Sequence, residues 1–131
     1  MNSVSIITGI LLLVASISFG QTQSEMNKEA GDKYNNADST LNVVYQKILN
    51  EYSNDTAFIS NLKLSQRLWI QFRDAQLKMK YPVSYSYGSV QPMCVSFYLT
   101  DLTDERIKTL QTWLDGIEEG DVCTGSVKLK K

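Results

Sequence analysis

Histidine is absent from the 131 residues, and proline and cysteine occur only twice each. Without histidine the chain lacks the side chain that most often shuttles protons near neutral pH and ligates metals. No serine stands in a G-x-S-x-G elbow and no glycine-rich loop follows a strand-like run, so the common nucleophile and phosphate-cradle motifs are missing. Paired carboxylates, the tools of glycoside hydrolysis, are the one catalytic resource left. Basic residues are not in excess: 13 Lys and Arg stand against 14 Asp and Glu. That balance argues against a nucleic-acid partner, which would need a basic excess or stripe. Glu118, Glu119 and Asp121 cluster without EF-hand spacing and read as a solvated helix end, so no metal and no cofactor is expected. These gaps turn the search toward binding.

What is present begins with an apolar run from Ile6 to Phe19, too short to span a bilayer comfortably and followed by Gly20 and the polar Gln21. Small residues at Ser18 and Gly20 suit cleavage after Gly20, although residues 1–5 carry no Lys or Arg. The expectation is a signal peptide over 1–20 and one exported domain over 21–131, periplasmic or secreted, with no membrane contact after cleavage; an uncleaved anchor is the alternative. In an oxidising compartment an even cysteine count favours a disulfide, here Cys94–Cys123, against two free thiols as the alternative. The bridge would close a loop of about 30 residues and add roughly 3–4 kcal/mol.

Helical spacing places Ala30, Tyr34, Ala37, Leu41, Val44, Tyr45, Ile48 and Tyr52 on one face of a helix over about Ser24–Tyr52. Ser53-Asn54-Asp55-Thr56 breaks the pattern and supplies N-cap chemistry for a second helix to about Lys80, which Pro82 stops. On that helix Leu62, Trp69 and Phe72 share an apolar face flanked by Leu68, Ile70 and Leu77, and Gln66 and Arg73 fall on the same face. An inward-facing arginine requires carboxylates, and Asp38, Asp101 or Asp104 can supply them, with Asp74 at the helix edge. Tyr81 to Met93 reads as a long Tyr/Ser loop and Cys94–Leu99 as a short buried segment, helical or extended. A third helix opens at Thr103 as N-cap, with Leu102 stapled on Ile107, and ends at Gly116 or Gly120 before a basic, mobile tail. The fold class is all-α: an antiparallel helical hairpin with a third helix packed across it, a long Tyr/Ser loop and one disulfide.

Three motifs carry a family resemblance. Ala37-Asp38 with Leu41-Asn42 and Tyr45 is the first; Gln66-Arg67, Trp69 and Phe72-Arg73-Asp74-Ala75 is the second and most specific. Gly88-Ser89, Pro92-Met93, then Leu102-Thr103 with Arg106 and Leu110 is the third. In this order they resemble the lysozyme-inhibitor-like LprI-type N-terminal domain of secreted and periplasmic bacterial proteins. The resemblance implies a small helical binding domain and no enzyme, with a protein partner that for some relatives is a lysozyme. A non-inhibitory envelope scaffold or adaptor, binding another protein or a cell-wall component, is the alternative. Many members carry a cysteine just after the Arg-Asp-Ala run; here Leu77 stands there, so the family's disulfide pattern does not transfer.

Asp38, Gln66, Trp69, Arg73, Asp74 and Arg106 are thus expected to be structural, with Trp113 and the tyrosines of the first helix packed as core. Tyr81, Ser84, Tyr85, Ser86, Tyr87 and Ser89 have the composition of a paratope, stiffened by prolines at either end and flanked by Lys78 and Lys80. They are the expected partner-binding residues; a solvated loop with its tyrosines folded back is the competing reading. The residues specify no oligomeric state.

Overall fold

The computed structural model describes residues 20–131. The expected leader therefore lies outside the described residues, save for Gly20. Three helices follow: α1 (Gln23–Glu51), α2 (Thr56–Lys80) and α3 (Gln91–Asp115). Among the described residues there is no strand, only an isolated parallel bridge between Ile117 and Leu129. None of these helices is long and apolar enough to cross a membrane.

Each helix starts where local chemistry permits. Thr22 caps α1 in a reciprocal box: its hydroxyl accepts from the Glu25 N–H at 3.1 Å, and the Glu25 carboxylate accepts from the Thr22 N–H at 3.2 Å. Asp55 caps α2 by accepting from the Phe58 N–H at 2.9 Å. Lys78 and Lys80 fall in its last turn, where cations complement the carbonyl end of the helix.

The third helix departs from the sequence expectation. It begins at Gln91, eleven residues before the expected Leu102 start, with Pro92 in its first turn. A proline there has no helical hydrogen bond to forfeit, so it initiates the helix. Thr103, expected to cap, sits fully buried in mid-helix, its hydroxyl donating to the Leu99 carbonyl at 2.7 Å. The loop correspondingly shrinks to residues 81–90.

Paired contacts give the topology. Gln23 reaches Met93 and Asn27 reaches Ser89 at one pole, while the Tyr52 hydroxyl donates to the Trp113 carbonyl at the other. Hence α1 and α3 run parallel, with α2 antiparallel to both. The third helix lies alongside α1 and makes its closest pairing there, instead of packing across an α1–α2 hairpin. Ala30 and Ala37 allow that approach, since small side chains let helix axes close up. The approach of α2 to α1 is looser, with Tyr45 and Trp69 bordering the core and Arg73 reaching Asp38. Leu41, Val44 and Ile48 of α1, Leu62 of α2 and Leu110 of α3 form the core, bordered by Tyr52, Phe58, Trp69 and Trp113.

Two further expectations fail. Phe72, Leu68 and Ile70 are exposed; Leu68 and Phe72 with Leu64 and Met79 leave α2 a second, outward apolar stripe, while Leu62, Trp69 and Leu77 turn inward and Ile70 stands at the edge of the inner face. The tail is also not free. Ile117 donates to Lys128 at 2.9 Å, Lys130 donates back to Ile117 at 2.8 Å, and the Lys128 N–H donates to the Tyr52 hydroxyl at 3.2 Å. Gly116 makes this possible: its φ is 80°, and a Cβ there would meet the Lys128 carbonyl oxygen at 2.9 Å.

No disulfide forms. Cys94 lies in the opening turn of α3; Cys123 lies in the tail loop that leaves the helix's far end and returns to it at Lys128. From Cys94 to that end the helix runs for about 30 Å at roughly 1.5 Å per residue, far beyond the reach of a disulfide. Both cysteines are free thiols, Cys123 exposed and Cys94 half-buried. A thiol reagent should therefore titrate Cys123 at once and Cys94 more slowly, and reductant should leave the melting temperature unchanged. A drop of several degrees on reduction would contradict this geometry.

Candidate functional site

The loop between α2 and α3 is built by the residues at its ends. Pro82 drives Tyr81 out of helical geometry, to φ −127° and ψ 70°. The Tyr81 ring then packs edge-on against Tyr87, centroids 5.4 Å apart. Burial, with Cys94, Tyr87 and Tyr98 nearby, raises the Tyr81 phenol above its ordinary value, so at neutral pH it stays a neutral hydrogen-bonding group. The Tyr87 N–H donates to the Gln91 side chain at 3.1 Å, and the Gln91 N–H donates to the Gly88 carbonyl at 3.1 Å. From α1, Asn27 donates to the Ser89 carbonyl at 3.1 Å. Both neighbouring helices thus hold the descending limb of the loop.

At the loop's tip stands Tyr85, 93% exposed and at φ 60°. A bulky residue with positive φ carries backbone strain of about 1 kcal/mol or more, sustained only where the surroundings enforce it. Ser84 and Ser86 meet through a weak 3.4 Å bond from the Ser86 hydroxyl to the Ser84 carbonyl. Below Tyr85 a groove of ≈630 Å³ runs between the loop, Asn27 and the start of α3 at Pro92 and Val95. Lys80 is folded over the Tyr98 ring at 4.4 Å, while Lys78 is exposed. Of the expected binding residues only Tyr81 is half-buried, against Tyr87; Lys78, Lys80, Ser84, Tyr85, Ser86, Tyr87 and Ser89 are exposed, Lys80 lying over the Tyr98 ring and Tyr85 projecting furthest.

The expected structural residues fall into two groups about Trp69 of α2, one reaching Asp38 of α1 and the other Arg106 of α3. Arg73, its side chain 15% exposed, contacts Asp74 at 2.9 Å and Asp38 of α1 at 3.8 Å. Among the described residues it makes no ion pair with Asp101 or Asp104. Its guanidinium lies 5.5 Å from the Trp69 ring centroid. Beside it the Tyr34 phenol is raised by burial, a shift that the Arg73 charge opposes. Arg106 lies 6.0 Å from the same ring and donates to Gln66 and Ser65, both at 3.0 Å. Ser65 is the partner that pattern reading missed; a hydroxyl one turn before Trp69 carries no distinctive signal.

Among the described residues no three His, Cys, Asp or Glu side chains gather as a metal site, and Glu118 is paired with Lys130 at 2.6 Å. The arrangement presents an exposed tyrosine on a loop held from two helices, with Lys78 exposed on the adjoining last turn of α2.

The helices and the loop lie almost wholly within the stretch that matches a known family: the sequence model of Lysozyme inhibitor LprI matches residues 17–110. A protein of Rhizobium meliloti (strain 1021), described only as uncharacterized, is similar at 31% identity over 108 residues, covering 74% of this chain and 77% of the relative. No solved structure matches. With the family's stretch reaching from ahead of α1 to Leu110 in the core, the chain belongs to the lysozyme inhibitor LprI family.

Proposed function

We propose that this protein is an exported protein-binding domain that inhibits a lysozyme by steric blockade, with the Tyr81–Ser89 loop as the inserting element. The observation that carries this reading is Tyr85, nearly fully exposed on a loop tied to α1 and α3. A braced loop loses little conformational entropy on binding, and tyrosine brings rigid amphipathic area to a cleft. A glycosidase cleft is lined by two carboxylates, which serine hydroxyls and the exposed Lys78 can approach. Family membership supports the choice of partner.

The test is a titration of muramidase activity on cell-wall substrate. Stoichiometric inhibition is expected. Tyr85→Ala should weaken it by at least about tenfold, the scale of an aromatic hot spot, without loss of helicity. Full potency in the Tyr85→Ala, Tyr87→Ala double variant would remove the loop from the mechanism.

A second reading, an envelope adaptor, is favoured by the outward stripe of Leu64, Leu68, Phe72 and Met79. Its helix carries four exposed bases, Lys63, Arg67, Lys78 and Lys80, against the single acid Asp74, which is paired with Arg73. An acidic protein surface with apolar centres is the complementary partner. Under this reading muramidase activity stays unchanged on titration, and Leu68→Glu with Phe72→Glu abolishes partner binding while loop variants do not.

A further inference from the structure

Two guanidinium groups lie 5.5 and 6.0 Å from the Trp69 ring centroid, but their surroundings differ. Arg73 faces two carboxylates. Arg106, half-buried, forms no ion pair among the described residues; residues 1–19 contain no acid that could supply one. Its Nε and one terminal nitrogen are used on Gln66 and Ser65, which leaves further N–H donors free. Burial pushes this guanidinium below its ordinary value, as expected for a cation without a counter-charge.

Beside it opens a cavity of ≈240 Å³ whose walls are mainly apolar: Phe58, Leu62, Leu110 and Trp113. An engineered apolar cavity of about 150 Å³ takes a benzene ring, so this one has room for a ring and a short arm. Ser65 and Ser126 are on its rim. Each accepts a hydrogen bond, Ser65 from Arg106 and Ser126 from the Trp113 indole at 3.0 Å, so each keeps a hydroxyl proton to donate. A cation, two hydroxyl donors and an apolar wall thus converge on one space.

We propose that this cavity is a binding site for a carboxylate carried on a compact apolar body, an aryl-alkanoic acid or the free C-terminus of a chain ending in an aromatic residue. The carboxylate pairs with Arg106 and a serine hydroxyl of the lining, and the ring lies against the wall that Phe58, Trp113 and Leu110 form. Charge-assisted, forked hydrogen bonding gives arginine its preference for carboxylates over neutral groups. The site is near the tail pole, about 30 Å along α3 from the loop at roughly 1.5 Å per residue, and it does not rest on the inhibitory reading.

The test is NMR titration of the protein with hydrocinnamate and with its neutral amide, following the Trp113 indole N–H and the Arg106 Nε–H. Hydrocinnamate should shift both signals saturably, with Kd about 1 mM or tighter, and the amide should bind at least about tenfold more weakly. A Gly-Gly-Phe peptide with a free C-terminus, set against its C-terminal amide, separates the two sources: binding of the free peptide assigns the site to chain ends, and binding of hydrocinnamate alone assigns it to small acids. Arg106→Gln should erase the discrimination between acid and amide; if that variant does not fold, the comparison on the unaltered protein still decides. Equal binding of hydrocinnamate and its amide, or no saturable shift from either acid, overturns the proposal.

Discussion

Arg73→Glu is expected to unfold the domain. The substitution places a carboxylate at a site that is 15% exposed, beside Asp74 and within reach of Asp38, so three like charges meet where a cation held two acids. Removing one partner of a buried pair costs about 3–5 kcal/mol, and reversal adds repulsion to that loss. A domain of this size has about 5–15 kcal/mol in all. The paired carboxylates are themselves about half exposed, which limits what each ion pair contributes alone. Arg73→Met, which keeps the aliphatic stem near Trp69 and lets water solvate the acids, should therefore cost much less. Thermal melts by circular dichroism check both; a normally helical, cooperatively melting Arg73→Glu protein would show that the cation is not needed for the fold.

Ile48→Ala is the second large effect. Ile48 has no exposed surface and stands among Leu41, Val44, Leu62 and Leu110, where all three helices meet. Truncation removes about 3–4 kcal/mol, because tightly packed neighbours cannot collapse fully into the space. The melting temperature should fall by more than about 10 °C. Phe72→Ala removes a larger side chain that is half exposed, and should cost under about 1 kcal/mol. If Phe72→Ala proved the more damaging, α2 would have to face the core with its other stripe.

That contrast separates what a helical pattern specifies from what it leaves open. The inner face of α1 is legible in the sequence because its apolar residues repeat at one helical period without interruption, and Asp55 and Pro82 mark the limits of α2 by chemistry that acts locally. On α2 periodicity fails to choose a face, because Leu62 with Trp69 and Leu68 with Phe72 both lie at helical spacing. Only the neighbours decide which pair is covered. Pro92 misleads for a related reason: a proline marks the end of one helix or the start of the next, and Val90 ahead of it offers no capping side chain to tell them apart. The cysteines mislead because an even count speaks of compartment and not of distance. At the loop, composition singles out Tyr85 and Tyr87, whereas the turning-in of Tyr81 and Lys80 depends on Tyr87 and Tyr98, which no local rule connects to them. Arg106 reads from sequence as one more structural residue, and its missing counter-charge becomes visible only once three helices are set side by side.

The parallel pairing of α1 with α3 also governs how the molecule assembles. Its tying contacts join Gln23 to Met93 and Tyr52 to Trp113, 70 and 61 positions apart along the chain. Neighbouring helices usually gain their stability from nearby partners and form quickly, whereas closing so long a loop has to be completed before its contacts repay the entropy. Here the middle helix acts as a tether that must swing back before the strongest seam can zip. A chain emerging from its N-terminal end carries Leu41, Val44 and Ile48 only partly covered, by Leu62 and its neighbours, until the final helix arrives, so its window of vulnerability to aggregation lasts almost as long as its synthesis.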